Sequence, residues 1–189
     1  MASVFGHVVL AYAMGKSLKS QFHTSRFWWL TVACCLLPDA DVLGLVLGIP
    51  YEHVLGHRGI THSIMFAMLV GWVVPRWATP TLVYGTRPYW VSALYFFLVT
   101  LSHGFLDALT NGGLGIAFFG PFDSTRYFFP LRPVAVSPIG VSAFVSHEGM
   151  RVLLSELVWI GIPVGFWLLC LRVIRKTGTK EVQGKKIQT

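Results

Sequence analysis

Charged side chains are scarce in this chain: Asp, Glu, Lys and Arg make up 12% of its 189 residues, where an ordinary soluble domain carries roughly 25%. A disordered chain needs low hydrophobicity and high net charge, so that class is excluded. Cysteine is scarcer still, with three in the whole chain, and so few exclude a disulfide scaffold. Cys34, Cys35 and Cys170 lie inside apolar runs with no paired spacing, so they read as small packing residues and not as zinc ligands. Acidic residues number only 8 against 15 Lys and Arg, which leaves a net charge of +7. What fills the chain instead is apolar, with 54% hydrophobic residues and a mean hydropathy of +0.62. Such a chain cannot coat a water-facing surface, whereas a bilayer accepts apolar side chains as surface.

A span of the hydrocarbon core takes about 20 mostly apolar residues. Four stretches qualify, roughly Phe27–Leu47, Ile60–Trp77, Tyr89–Thr110 and Val152–Ile174, and a fifth, Ser3–Gly15, is marginal. Lys16 and Lys19 follow this first run, whereas a secretory signal peptide places its basic residues before the apolar stretch. The stretch is therefore expected to stay in the mature protein. The expected fold is all-α, a polytopic membrane helix bundle of four to five spans with interrupted helices and a long outer loop. Residues 1–175 read as one membrane-embedded domain, with 111–151 as the outer loop and 176–189 as a basic cytoplasmic tail.

With five spans and the N-terminus outside, the inner side receives Lys16, Lys19, Arg26, Arg76, Arg87, Arg172, Arg175, Lys176, Lys180, Lys185 and Lys186. Only Arg58, Arg126, Arg132 and Arg151 fall outside, which is the asymmetry that cytoplasmic loops carry. Trp28, Trp29, Trp77, Tyr89 and Trp90 then fall at the inner interface, where amphipathic rings anchor helix ends. A nucleic-acid partner is not expected, because its footprint would gather basic residues on one exposed patch. The run from Arg172 to Lys186 reads as a stop-transfer tail. The expected location is the bacterial inner membrane, multi-pass, with the C-terminus cytoplasmic.

Ionisable groups inside membrane segments are costly and mark function by default. Asp39 and Asp41 interrupt an apolar run just after Pro38; His57 and His62 flank Arg58-Gly59; His103 and Asp107 stand late in the Tyr89–Thr110 stretch; His7 lies in the first stretch. Imidazole nitrogens and carboxylates are the donors that bind zinc and similar metals. His103 and Asp107 are four apart, so on a helix they share a face. His57 and His62 would diverge by about 140° on one helix, and Gly59 between them suggests a turn that brings both inward. Counting about 1.5 Å per residue, all seven fall within about 13 Å of the outer ends of their segments, although Lys and Arg alone set the orientation. Each alone has a plainer reading, a hydrogen-bonded helix contact or an Asp39–Arg58 ion pair; His103 and Asp107 together favour metal, and the whole set favours it more strongly. His23 and His53 read as loop residues. His147 and Glu148 read as a solvated pair, or as part of a second metal site.

Gly6-His7, Leu-Pro-Asp39-Ala-Asp41, His57-Arg58-Gly59-Ile60-Thr61-His62-Ser63 and Ser102-His103-Gly104-Phe105-Leu106-Asp107 resemble the YdjM-like family of small membrane-bound metal-dependent hydrolases, over roughly residues 1–175. The resemblance implies a multi-span bacterial inner-membrane protein with a metal-linked hydrolytic site. The order His7, Asp39, His57 or His62, His103, Asp107 is also similar to the ligand order of zinc-dependent phospholipase C and related single-strand nucleases, which use three zinc ions on phosphodiesters. The later His and His-x-x-x-Glu ligands of that family have no clear counterpart beyond His147 and Glu148, so one or two metals are expected here.

The expected activity is zinc-dependent hydrolysis of a lipid phosphoester at the outer face of the membrane. His7, His57, His62, His103 and Asp107 are the expected ligands, with Asp39 as ligand or bridge. Asp41 is expected as a further ligand, an orienting partner or the general base. Arg58 is expected to neutralise a phosphate, with Arg126 and Arg132 assisting from the apolar loop. Lipid amide or ester hydrolysis, as in ceramidase-like membrane enzymes, is the alternative within enzymes. Metal transport or a structural metal is the alternative outside them. The inner halves of the segments hold almost no ionisable groups, which weighs against transport.

Overall fold

A computed structural model of the chain describes residues 1–138 and 140–187, with side chains described at 1–138, 140 and 143–177. Of the expected basic tail, Lys180, Lys185 and Lys186 therefore have side chains outside the described residues.

Helix α1 spans Val4–Ser17 and α2 spans Ser25–Leu36, starting where Thr24 Oγ1 accepts the Phe27 N–H at 3.1 Å. Proline has no N–H to donate, and at Pro38 the backbone tightens into a 3₁₀ turn over Leu37–Asp41 before α3, Val42–Val46, continues the rod. A second 3₁₀ turn, Ile60–His62, leads into α4, Ile64–Val73, capped by Ser63 Oγ on the Phe66 N–H. Proline opens the short α5, Pro75–Ala78, and stands in the first turn of α6, Arg87–Ala108. The long connection that follows contains α7, Val141–Phe144. Helices α8, His147–Glu156, and α9, Ile162–Ile187, form one rod joined by a π turn over Leu157–Gly161.

Three of these rods are long and apolar enough to cross a membrane: Ser25–Val46, Arg87–Ala108 and His147–Thr177; Ile64–Ala78 is apolar but shorter. The stretch expected from Ile60 starts as a separate turn, so the α4–α5 rod is only about 22 Å long at 1.5 Å per residue. Helix α1 has 14 residues, which bears out its marginal length in the sequence. The expected all-α membrane bundle with interrupted helices is the fold observed. Among the described residues the only β pairings are isolated bridges, Thr110 with Val134 and Ile116 with Tyr127.

Helix α6 is the centre of the bundle. Its Tyr95, Phe96 and Val99 pack with Phe27, Cys34 and Cys35 of α2 and Val70 of α4 in one buried cluster. Phe27 stacks on Tyr95 at 4.9 Å and meets Phe96 edge-on at 5.6 Å. Helix α4 lies against α6 at Gly71, where a Cβ would come 2.8 Å from the Ala93 carbonyl; small residues let membrane helices approach this closely. Apolar side chains such as Leu43, Val46, Leu94 and Phe166 face outward, as a lipid-facing surface requires.

The connection after α6 folds back over the helix ends. Phe118 accepts the Ile64 N–H, Arg58 accepts the Ala117 N–H and Ala108 accepts the Phe129 N–H, all through backbone carbonyls. Apolar packing with internal hydrogen bonding satisfies the backbone of a loop too apolar to stand in water.

Candidate metal centre

Four separate elements deliver His and Asp side chains to one end of the bundle. His7 comes from the first turns of α1, Asp39 and Asp41 from the 3₁₀ turn after Pro38, His57 and His62 from the loop and turn before α4, and His103 and Asp107 from the last turns of α6. His7, His57, His62, His103, Asp41 and Asp107 are buried, and Asp39 is half-buried. The convergence follows from chain direction, because each of the four segments has its site residues at the same end.

Asp39, His62, His103 and Asp107 form the centre. One donor atom from each lies within 4.8 Å of the others. His103 Nε2 is 3.2 Å from Asp39 Oδ1 and 4.0 Å from Asp107 Oδ2, and His62 Nε2 is 3.8 Å from both carboxylates. None of these atoms has a hydrogen-bond partner, although all are buried. Buried polar atoms are nearly always paired, so four orphans facing one point fit a cation that all four would hold. Donors about 2.1 Å from a tetrahedral zinc ion stand roughly 3.4 Å apart, close to the spacing found here.

The other nitrogen of each imidazole is already engaged. His103 Nδ1 lies 2.7 Å from the Cys35 carbonyl, which can only accept, so Nδ1 carries the proton and Nε2 offers its lone pair. His62 Nδ1 lies 3.1 Å from Asp41 Oδ2 and takes the same tautomer. Such outer hydrogen bonds fix the ring and raise its basicity toward a metal.

Asp41 is the hub of this outer layer. It also accepts from the His57 Nδ1 at 2.6 Å, the Arg58 N–H at 3.0 Å and the Thr61 hydroxyl at 2.6 Å. A second group, Asp39, Asp41 and His57, also brings three donor atoms within 4.8 Å and shares Asp39 with the first. The oxygens of Asp41 are occupied by these donors, whereas both oxygens of Asp39 are without a partner.

His7 stacks on His103, ring centroids 3.8 Å apart and planes within 6°. Its Nε2 is 3.4 Å from Asp107 Oδ1, and neither ring nitrogen has a hydrogen-bond partner. Arg58 is fully enclosed, and its guanidinium faces Asp107, Nε to Oδ2 at 3.2 Å, while donating to the Gly112 carbonyl and Thr110 Oγ1. The sequence pointed this guanidinium at a substrate phosphate, or at Asp39; in the fold its counter-ion is Asp107. The backbone turns sharply at Arg58, φ +64°, a left-handed conformation uncommon outside glycine, and its carbonyl accepts the Ala117 N–H while its side chain meets Asp107.

Of the three carboxylates here, Asp107 meets the Arg58 guanidinium, Asp41 accepts the Arg58 backbone N–H, and Asp39 lies beside His62 and His103. Buried charge has to be paired or coordinated, and a cation held among these donors would offset carboxylate charge at this end of the bundle.

Arg126 does not stand over the centre. It donates to the carbonyls of Tyr51, His57 and Arg58 and lies 5.4 Å from the Tyr51 ring, so it ties the long connection to the loop that carries His57. Partial burial lowers its pKa and raises that of Tyr51. Arg132 rests on the Phe128 ring at 4.7 Å. His147 and Glu148 are exposed at the start of α8. His23 gives one ring nitrogen to the Gly15 carbonyl at 2.9 Å, and His53 is exposed.

The sequence reading passed over Glu156. It is 4% exposed inside the last rod and binds the Ser3 N–H and, at 2.5 Å, the Ser3 hydroxyl. The neighbouring Ala2 N–H donates to Asp107 Oδ1 at 2.6 Å, so two adjacent residues link this glutamate to the centre. The signal was present, a carboxylate within Val152–Ile174. Glu156→Ala is expected to cost about 1–3 kcal/mol, the penalty for stranding buried donors, read as a lowered melting temperature in detergent. An unchanged melt would deny the glutamate this role.

Comparison with known proteins agrees with the membrane fold. A family model described as YdjM inner membrane protein matches residues 1–178. The inner membrane protein YbcI of Escherichia coli (strain K12) is 33% identical over 167 residues, covering 86% of this chain and 92% of that protein. No solved structure matches. A match over nearly the whole chain, joined by a relative of this identity and coverage, means that the chain belongs to the YdjM inner membrane protein family.

Proposed function

We propose that this protein is a membrane-embedded, zinc-dependent hydrolase of a lipid phosphoester, with one ion held by Asp39, His62, His103 and Asp107 and the site open to the outer face of the inner membrane. The observation that carries the reading is the set of four buried donor atoms, none with a hydrogen-bond partner, gathered within 4.8 Å of one another. A zinc ion held there would polarise the scissile group and lower the pKa of a water toward neutrality.

The chain's own residues divide the remaining work. Asp41 fixes the proton of His57 on Nδ1 and so leaves Nε2 as the acceptor for a proton drawn from water. Arg58 holds Asp107 charged and oriented. His7 packs flat against His103 and keeps its ring from turning. A lipid substrate is supported by an apolar cavity of about 300 Å³ beside Ser3, Val42 and Phe144, next in the chain to Asp41 and to the Ala2 contact with Asp107. The orientation rests on the Lys and Arg asymmetry.

Elemental analysis of the purified protein together with a lipid panel tests the reading. About one zinc per chain is expected, with release of a phosphorylated product from phosphomonoester or phosphodiester lipids that stops on chelation and returns with zinc. Cleavage of N-acylated lipids alone would move the activity to amide hydrolysis. Stoichiometric metal with no turnover of any lipid would reduce the protein to a metal-binding one.

A further inference from the structure

At the end of the bundle opposite the His–Asp centre, the C-terminus of α1 meets the middle of α9 around a cavity of about 200 Å³ lined by Tyr12, Lys16, Leu168, Leu171, Arg172 and Arg175. Arg175 closes its floor, giving Nη2 to the carbonyls of Lys16, Ser17 and Leu18 that end α1 without intrahelical partners. Among the described residues, neither Lys16 nor Arg172 has a carboxylate partner, because the ion pairs gather at the other end. Cations crowded at the end of a low-charge bundle attract an anion.

Tyr12 and Lys16 also form the wall of a second cavity, about 300 Å³, which runs between α1 and α2 and adds Val8, Trp28 and Val32. Its lining is almost wholly apolar. The Lys16 ammonium stands over the Tyr12 ring at 5.5 Å and the Trp28 ring at 5.8 Å, at the boundary between the two. A basic pocket that shares a wall with an apolar groove matches an amphiphile, with its charged head in one and its chain in the other. Basic pockets between membrane helices near the cytoplasmic surface bind anionic lipid head groups in this way.

We infer that this paired cavity is a binding site for an anionic phospholipid, its phosphate on Lys16 and Arg172 and an acyl chain along the groove between α1 and α2. The apolar groove is what favours a lipid over a soluble phosphate. Nothing in the site depends on the His–Asp centre.

Native mass spectrometry of the full chain in detergent tests it, with phosphatidylglycerol as the probe, phosphatidylcholine as the neutral control and glycerol phosphate as the head group alone. The wild-type chain is expected to retain one phosphatidylglycerol, and Lys16→Gln/Arg172→Gln to retain it about tenfold less well or worse. Lys16→Arg/Arg172→Lys keeps both charges and is expected to bind like the wild type, which separates loss of charge from loss of fold. Val32→Trp, which fills the groove, is expected to weaken the lipid while leaving the basic residues intact. Equal retention by the wild type and the double glutamine variant overturns the site. Glycerol phosphate binding as tightly as the lipid, or no effect of Val32→Trp, overturns the lipid reading in favour of a small anion.

Discussion

Asp107→Ala is expected to empty the centre of metal and to destabilise the bundle in the same step. The carboxylate contributes Oδ2 to the four-atom cage, and its Oδ1 accepts the Ala2 N–H while standing 3.4 Å from His7. It is also the counter-ion of Arg58, and both residues are 0% exposed. Removing one partner of a buried pair leaves an uncompensated charge, at a cost of about 3–5 kcal/mol. The two consequences can be separated. In Asp107→Ala/Arg58→Met the stranded guanidinium is gone, so the double variant should recover much of the melting temperature lost by the single one. Metal content should stay near zero in both. Elemental analysis beside thermal melts in detergent decides the matter: a full complement of zinc in Asp107→Ala would remove Asp107 from the cage, and a double variant no more stable than the single one would deny the pairing with Arg58.

The bundle and its site were legible in the sequence to different depths. Apolar runs separated by Pro, Gly and basic residues located the rods within a few residues, and Pro38 marked the break after α2. The convergence of His7, Asp39, Asp41, His57, His62, His103 and Asp107 followed from Lys and Arg asymmetry and helical rise, since these set which end of each segment is which. The division of labour among those residues was not legible. Whether a histidine presents Nδ1 or Nε2 depends on what the other nitrogen meets, and for His103 that is the backbone carbonyl of Cys35, 68 residues away. No side-chain pattern reports a backbone acceptor. Asp41 separates from Asp39 for the same reason. The two stand two positions apart in a 3₁₀ turn, yet one is surrounded by donors and the other by unpaired nitrogens. The pairing of Arg58 with Asp107 was not legible either, since neither that contact nor the left-handed backbone at Arg58 has a signature in the residue type.

The loop that presents His57, Arg58 and His62 depends on one close approach, and Gly59→Ala is expected to break it. A Cβ at residue 59 would lie 2.2 Å from the Val54 carbonyl oxygen and 2.8 Å from that of Gly56. Neither oxygen is free to step aside, since Val54 accepts the Ile60 N–H at 2.8 Å and Gly56 accepts the Gly59 N–H at 3.0 Å. The backbone itself has to move, and it is flanked by Arg58 on one side and by the turn that carries His62 on the other. A metal site tolerates ligand shifts of only about 0.2 Å, and displacement of about 1 Å near a reacting centre can cost about 100-fold in rate. Gly59→Ala should therefore lose most of its zinc and about 100-fold in turnover, while its helical circular dichroism stays close to that of the wild type because no rod is interrupted. Gly48→Ala is the matched control. Unlike Gly59, whose φ is −85°, Gly48 has a positive φ, +80°, but a Cβ there meets nothing within 4 Å, so its cost is limited to about 1 kcal/mol of backbone conformation and its zinc should remain. Equal metal loss in both variants would trace the effect to general loop strain. Loss confined to Gly59→Ala ties it to the close packing that sets His62 against His103.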